Sequence, residues 1–177
     1  MKKDLIYALT CLSFSIVIGG AVYEHLCVVP QWAAAPPVSL YMFQGEYGLK
    51  PEIFWMVMHA ISLVLFTTSF ILHYKTAKRK FIGVPFLSYV LILVITSIYF
   101  VPELLAITTT EYSTITDAEL TKRAGMWEAL SLVRLGFLLV LAITLFMGLT
   151  KPNTVLAGTK SKRIKLVVEQ MAEVVAG

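Results

Sequence analysis

Four long apolar runs, separated by short stretches that gather most of the charge, govern what this sequence can become. They cover about 5–29, 53–74, 81–102 and 126–150. A helix rises about 1.5 Å per residue, so some twenty apolar residues cross roughly 30 Å of hydrocarbon. The fourth run needs an argument, because its uncharged part, Leu135 to Thr150, would be only about 24 Å long. It must begin near Met126, and that takes Glu128 and Arg134 into the bilayer. With 177 residues, 58% of them hydrophobic and only 15% charged, the loops leave no room for a soluble core. The expected fold is an all-α, four-helix transmembrane bundle forming one integral membrane domain over residues 1–177.

Basic residues set the expected orientation. Eleven of them, among them Lys2, Lys3, Lys78, Lys80 and Lys151, flank one set of span ends, whereas the opposite loops hold Lys50, Lys122 and Arg123. Both termini are therefore expected in the cytoplasm, and the membrane is read as a bacterial inner membrane. The net charge of +4 follows from this placement and implies no nucleic-acid partner. Met1-Lys2-Lys3 resembles the start of a secretory signal, but the run behind it reaches Pro30, well beyond an apolar stretch of roughly 7–15 residues. Cys11 and Cys27 stand sixteen residues apart, about 24 Å on a helix, so they are not expected to bridge.

Between the spans, the loop from Pro30 to Pro51 is rich in Pro, Gly and aromatics and reads as an ordered flap. Thr116 followed by Glu119 has the spacing of a capping box, placing a helix start there. In the tail 151–177, Ile164, Val167, Val168, Met171, Val174 and Val175 share a face, which predicts a short amphipathic C-terminal helix.

The second run carries a polar stripe. Glu52, Trp55, His59, Ser62, Phe66, Ser69 and His73 recur at three- and four-residue spacing, on one face of a helix. Hydroxyls that tie this helix to its neighbours, with Trp55 and His73 at the two interfaces, account for all of it except His59. His59 lies about 9 Å inside the run, and an ionisable residue at that depth marks a functional site.

Other ionisable residues share its level: Glu24 and His25 in the first run, Glu103 at the end of the third, Glu128 and Arg134 in the fourth. In the third run Tyr89, Ile92, Thr96, Tyr99 and Glu103 follow helical spacing, so Tyr99 and Glu103 are expected to face inward together. In the first, Ser13, Gly20, Glu24 and Cys27 form the small and polar face. Carboxylates and imidazoles converging from facing helices are the donors of a metal site in a bundle, so Glu24, His25, His59, Glu103 and Glu128 form a candidate set for iron, zinc or manganese. Haem on His25 or His59 is a further alternative. The competing reading is a structural network around Arg134, whose expected partner is Glu24 or Glu103 on another helix. His59, Tyr99, Glu103, Glu128 and Arg134 are the candidate catalytic groups, with Trp55 and Trp127 as walls for a bound cofactor or substrate. No phosphate loop, dinucleotide fingerprint, Cys-x-x-Cys motif or nucleophile elbow is present.

Two stretches carry a family likeness: Gly19-Gly20-Ala21-Val22-Tyr23 leading to Pro30-Gln31-Trp32, and Trp127-Glu128-Ala129-Leu130 with Val133-Arg134. Over about twenty positions the chain resembles the anthrone-oxygenase-like family of small four-span membrane proteins. Ser131 and Leu132 stand where that family carries a histidine. The resemblance implies oxidation of a hydrophobic aromatic substrate, cofactor-poor or metal-assisted. The expected function is thus a membrane-embedded oxidoreductase acting on a lipophilic small molecule. The alternative is a non-enzymatic membrane protein, an assembly partner or a binder of haem, lipid or solute, and a homo-oligomer fits either.

Overall fold

The structure is a computed structural model that describes residues 2–153. The amphipathic helix expected in the tail lies outside the described residues. Four helices are long and apolar enough to cross a membrane: α1 (Lys2–Ala33), α2 (Glu52–His73), α3 (Arg79–Thr108) and α4 (Ala118–Thr150). Each packs against its neighbours in sequence, and α4 returns to α1, so the helices form a closed up-down-up-down ring. Among the described residues no strand occurs.

Three helices overrun the expected spans, and the reason is local. In α1 the chain passes from α-helix through a π turn, Glu24–Val28, and resumes as α-helix at Val29. In α3 the same happens at Thr96–Phe100 before Val101. Both turns end one residue before a Val-Pro pair, Val29-Pro30 and Val101-Pro102. Proline lacks the donor for an α-helical bond, and its ring crowds the carbonyl four residues back. Here the residue before each proline donates five residues back, Val29 N–H to Glu24 O and Val101 N–H to Thr96 O. The turn widens and the helix continues instead of breaking, as a membrane span requires. Pro85, near the start of α3, has no such turn, so proline is the setting for the π turn and not a sufficient cause.

The fourth helix begins at Ala118, eight residues before the expected start, because Asp117 caps it: its carboxylate accepts from Glu119 N (2.8 Å) and Leu120 N (3.0 Å). The cap is therefore Asp117, and the box expected at Thr116 is replaced by the carboxylate one residue on. The flap is ordered as expected. Val38–Phe43 forms a 3-10 helix, Leu40 is fully buried, and Asp117 N donates to Pro36 O (3.0 Å), which ties the flap to α4.

Two aromatic-rich cores result. The larger holds Tyr7, Phe14, Phe66, Tyr89 and Leu138 from all four helices; Phe14 meets Phe66 and Tyr89 edge-on at 5.3 and 5.1 Å. The smaller holds Trp32, Leu40, Phe100, Ile107 and Trp127, from α1, α3, α4 and the flap but not α2. Outward faces are apolar, as at Leu12, Met56, Val64, Leu87, Phe137 and Val140, and these exposed side chains suit lipid. Among lipid tails of equal polarity, close packing and hydrogen bonds hold such a bundle, more than hydrophobic transfer. Tyr7 hydroxyl donates to Leu145 O (2.6 Å), and Thr10 to Leu65 O (3.1 Å).

At the basic end Lys78 is buried and its ammonium donates to Asp4 (2.9 Å), which also accepts from Asn153. His73, expected at an interface, is fully buried there under Tyr7, with Nδ1 donating to Ser69 O (2.9 Å). The expectation missed that α1 and the turn after α2 cover the last turn of α2. Lys80 and Thr114 are both exposed at opposite ends of the bundle. Cysteines at these two positions, in a Cys27→Ser background, are expected to react with an impermeant maleimide from opposite faces of sealed vesicles. Reaction of both from one face would break the up-down topology.

Candidate functional site

On α1, α3 and α4 a set of polar residues lies between the two cores. In α1 Glu24 and His25 fall between Ala21 and Val29; in α3 Thr96 falls between Tyr89 and Phe100; in α4 Ser131 and Arg134 fall between Trp127 and Leu135. α2 contributes Trp55 and His59. The layer expected from the sequence exists, but its membership differs.

Its centre is a line of contacts through α1, α2 and α3. Trp55 Nε1 donates to Glu24 Oε1 (2.7 Å), and the indole stacks on His59 with ring centroids 5.4 Å apart and planes 26° apart. Gly20 makes room for this: a Cβ there would lie 2.5 Å from Phe54 Cε1 and 3.5 Å from Trp55 Cη2. His59 Nδ1 and the Tyr89 hydroxyl share a hydrogen bond of 2.6 Å, and Tyr89 is only 1% exposed. Trp55 is thus a member of the site, bound to a carboxylate, rather than a plain interface anchor.

Arg134 borders this line. One guanidinium nitrogen donates to Thr96 Oγ1 (3.0 Å) on α3 and another to Ser131 Oγ (2.7 Å) on its own helix. Its carbon stands 4.1 Å from the Phe100 ring centroid, a cation-π contact. Among the described residues no carboxylate lies within ion-pair distance of it. The expected Arg134–carboxylate pair is therefore replaced by hydroxyls and an aromatic face, which leaves N–H groups of the guanidinium unused.

Glu103 departs from the site. Arg123, one turn into α4, takes it in a two-pronged pair, Nε to Oε1 (2.8 Å) and Nη2 to Oε2 (3.0 Å), near the helix ends. Tyr99 departs as well: it is 38% exposed and Phe100 is buried in its place. The π turn explains the second change: it adds a residue to the turn, so the inward face runs Tyr89, Thr96, Phe100, Ile107 and Tyr99 falls off it. Glu103, three residues after Phe100 and four before Ile107, stays half-buried on that face and is taken there by Arg123. The same slip exposes Cys27 in α1, where the inward face continues to Val28 and Val29.

His25 is buried in the layer, with Nδ1 donating to Ala21 O (2.8 Å) and Nε2 without a hydrogen-bond partner. Glu128 is half-buried and makes no hydrogen bond or ion pair among the described residues. Trp127 is buried in the smaller core, where Nε1 donates to Phe100 O (2.9 Å) and the ring meets Trp32 at 5.6 Å. It walls the layer without reaching the polar line. Among the described residues no three His, Cys, Asp or Glu side chains come together to hold a metal ion. Glu103 is committed to Arg123, His25 turns one nitrogen to its own backbone, and Glu128 stands apart, so the five-donor set does not assemble.

Tyr89 and Thr96 were readable as positions on the helical face of the third run but not as site members, Phe100 gave no signal, and Ser131 stood out only where the resembled family carries a histidine. No family model, curated protein or solved structure matches the chain.

An arginine without a carboxylate in a bilayer layer contributes little to stability and costs at least about 2.5 kcal/mol to place there. Arg134→Leu is accordingly expected to leave unfolding in micelles unchanged or to stabilise the protein by about 1–2 kcal/mol. Trp127→Ala, which empties the smaller core, is expected to cost about 3–5 kcal/mol. Equal losses from the two variants in a denaturant titration would show that the guanidinium is structural.

Proposed function

We propose that this protein is a membrane-embedded oxidoreductase that oxidises a lipophilic small molecule at the layer formed by Glu24, His59, Tyr89 and Arg134. The observation that carries this reading is Arg134: a guanidinium with unused donors and, among the described residues, no carboxylate partner, on the polar layer that also holds Glu24 and His59. A cation so placed favours a substrate on which negative charge develops. Glu24 holds Trp55 through one oxygen, and through the other it serves as the base that removes a proton from a carbon next to an aromatic carbonyl. Arg134 holds the resulting oxyanion, and the Tyr89–His59 pair returns protons. Dioxygen, which partitions into lipid, is the oxidant. The substrate methylene and one dioxygen give a carbon-bound hydroperoxide, in which one C–H has become C–O–O–H. That hydroperoxide loses its remaining C–H proton and its terminal hydroxide together as water, which breaks the O–O bond and leaves a new carbonyl. The family likeness of Gly19–Trp32 and Trp127–Arg134 supports the same substrate class. The donors present do not fit a transition metal, and no step is assigned to one. We assign the protein to a bacterial inner membrane with both termini cytoplasmic, on the asymmetry of its basic residues.

A non-enzymatic bundle is the second reading, favoured by the Glu103–Arg123 and Asp4–Lys78 pairs, which are complete without a ligand. Dioxygen uptake by the protein in micelles, with a panel of lipophilic aromatic ketones bearing an adjacent methylene, separates the two. Arg134→Met is expected to lower kcat by about 10²–10³. No uptake with any member of the panel, or uptake unchanged in Arg134→Met, would defeat the enzymatic reading.

A further inference from the structure

The hydrogen-bonded line through the layer has a second chemical property, one that needs no bound substrate. Trp55 and Tyr89 are the side-chain types most readily oxidised by one electron, and each has its acidic hydrogen on a base. Trp55 N–H points to Glu24 at 2.7 Å, and the Tyr89 hydroxyl lies 2.6 Å from His59 Nδ1, which accepts its proton when the imidazole carries its own on Nε2. The two rings are joined by His59, whose centroid is 5.4 Å from Trp55 and 5.9 Å from Tyr89. Loss of an electron alone from a buried phenol would leave a charged radical in a medium of low polarity, which is strongly disfavoured. Loss of the proton in the same event leaves a neutral radical, and an acceptor within hydrogen-bond distance permits it. Tyr89 is 1% exposed and enclosed by Phe14 and Phe66, so a radical there is shielded from dimerisation and from aqueous reductants. Trp55 is only half-buried and stands between the exposed apolar side chains of Phe54 and Met56.

We propose that Trp55, His59 and Tyr89 form a proton-coupled electron relay that carries an oxidising equivalent from lipid peroxyl radicals to Tyr89. A peroxyl radical ROO• takes an electron from Trp55 as the indole proton passes to Glu24. Trp55 regains an electron from Tyr89 and its proton from Glu24, while the phenolic proton moves to His59 Nδ1. His59 then gives up that proton and ROO⁻ gains one, so the sum is Tyr–OH + ROO• → Tyr–O• + ROOH. The relay requires no turnover of the substrate proposed above, so failure of the dioxygen assay leaves it standing.

The test places the intact protein in vesicles of dilinoleoyl phosphatidylcholine containing a lipophilic azo initiator, and reads the tyrosyl signal by electron paramagnetic resonance. The parent is expected to give a persistent tyrosyl radical. Tyr89→Phe and His59→Leu are each expected to lower its yield about a hundredfold, the low end of what a positioned base supplies. Trp55→Phe is expected to slow its formation, and exchange into deuterated water to slow it in the parent. If His59→Leu does not fold, Tyr89→Phe decides, since it keeps the ring and removes one hydroxyl. A signal equal to the parent's in Tyr89→Phe or in a folded His59→Leu variant, or no tyrosyl signal in the parent, would overturn the relay.

Discussion

A helix that crosses lipid must keep its backbone bonds closed, and in this protein two of the four helices must do so with a proline in the way. Val29-Pro30 and Val101-Pro102 are accommodated by π turns that shift the donor by one residue. The turns occupy the same layer of the bundle, one on α1 and one on α3. They bring Glu24 and His25 into the layer from one side and Thr96 from the other, and they rotate everything beyond them. The smaller core takes Val29, Trp32 and Ile107 from the segments that follow those turns, Phe100 from the end of the second turn, and Trp127 from α4.

The polar layer is held between two aromatic cores, and this determines what its charges can do. In an apolar setting each donor is satisfied or costly. Glu24 takes the indole of Trp55, and His59 takes the phenol of Tyr89. His25 Nε2 is left without a partner, and Arg134 is met by two hydroxyls and the face of Phe100 but, among the described residues, by no carboxylate. A sequence under selection for stability alone would have little reason to keep a guanidinium there, which is why the proposed chemistry is centred on it.

Much of this was legible in the sequence. The lengths of the apolar runs required four spans, and the stripe on α2 marked its inward face correctly at Ser62, Phe66, Ser69 and His73. The depth of His59 was readable from its position in the run. The layer itself was visible as ionisable residues at one level. The pairings were not. Tyr99 was placed inward by counting at 3.6 residues per turn, and a single five-residue turn is enough to turn that count outward.

The four-span architecture follows from the amino-acid order alone, because hydrophobic length and polar spacing are local properties that lipid reads directly. The site was set by how the helices meet. Which base Trp55 and Tyr89 reach, that Arg123 and not Arg134 takes Glu103, and that His73 lies beneath Tyr7 all depend on which helix faces which. They depend also on a one-residue slip in register at two prolines. Such facts belong to contacts between segments far apart in the chain, and no periodicity within a single segment encodes them.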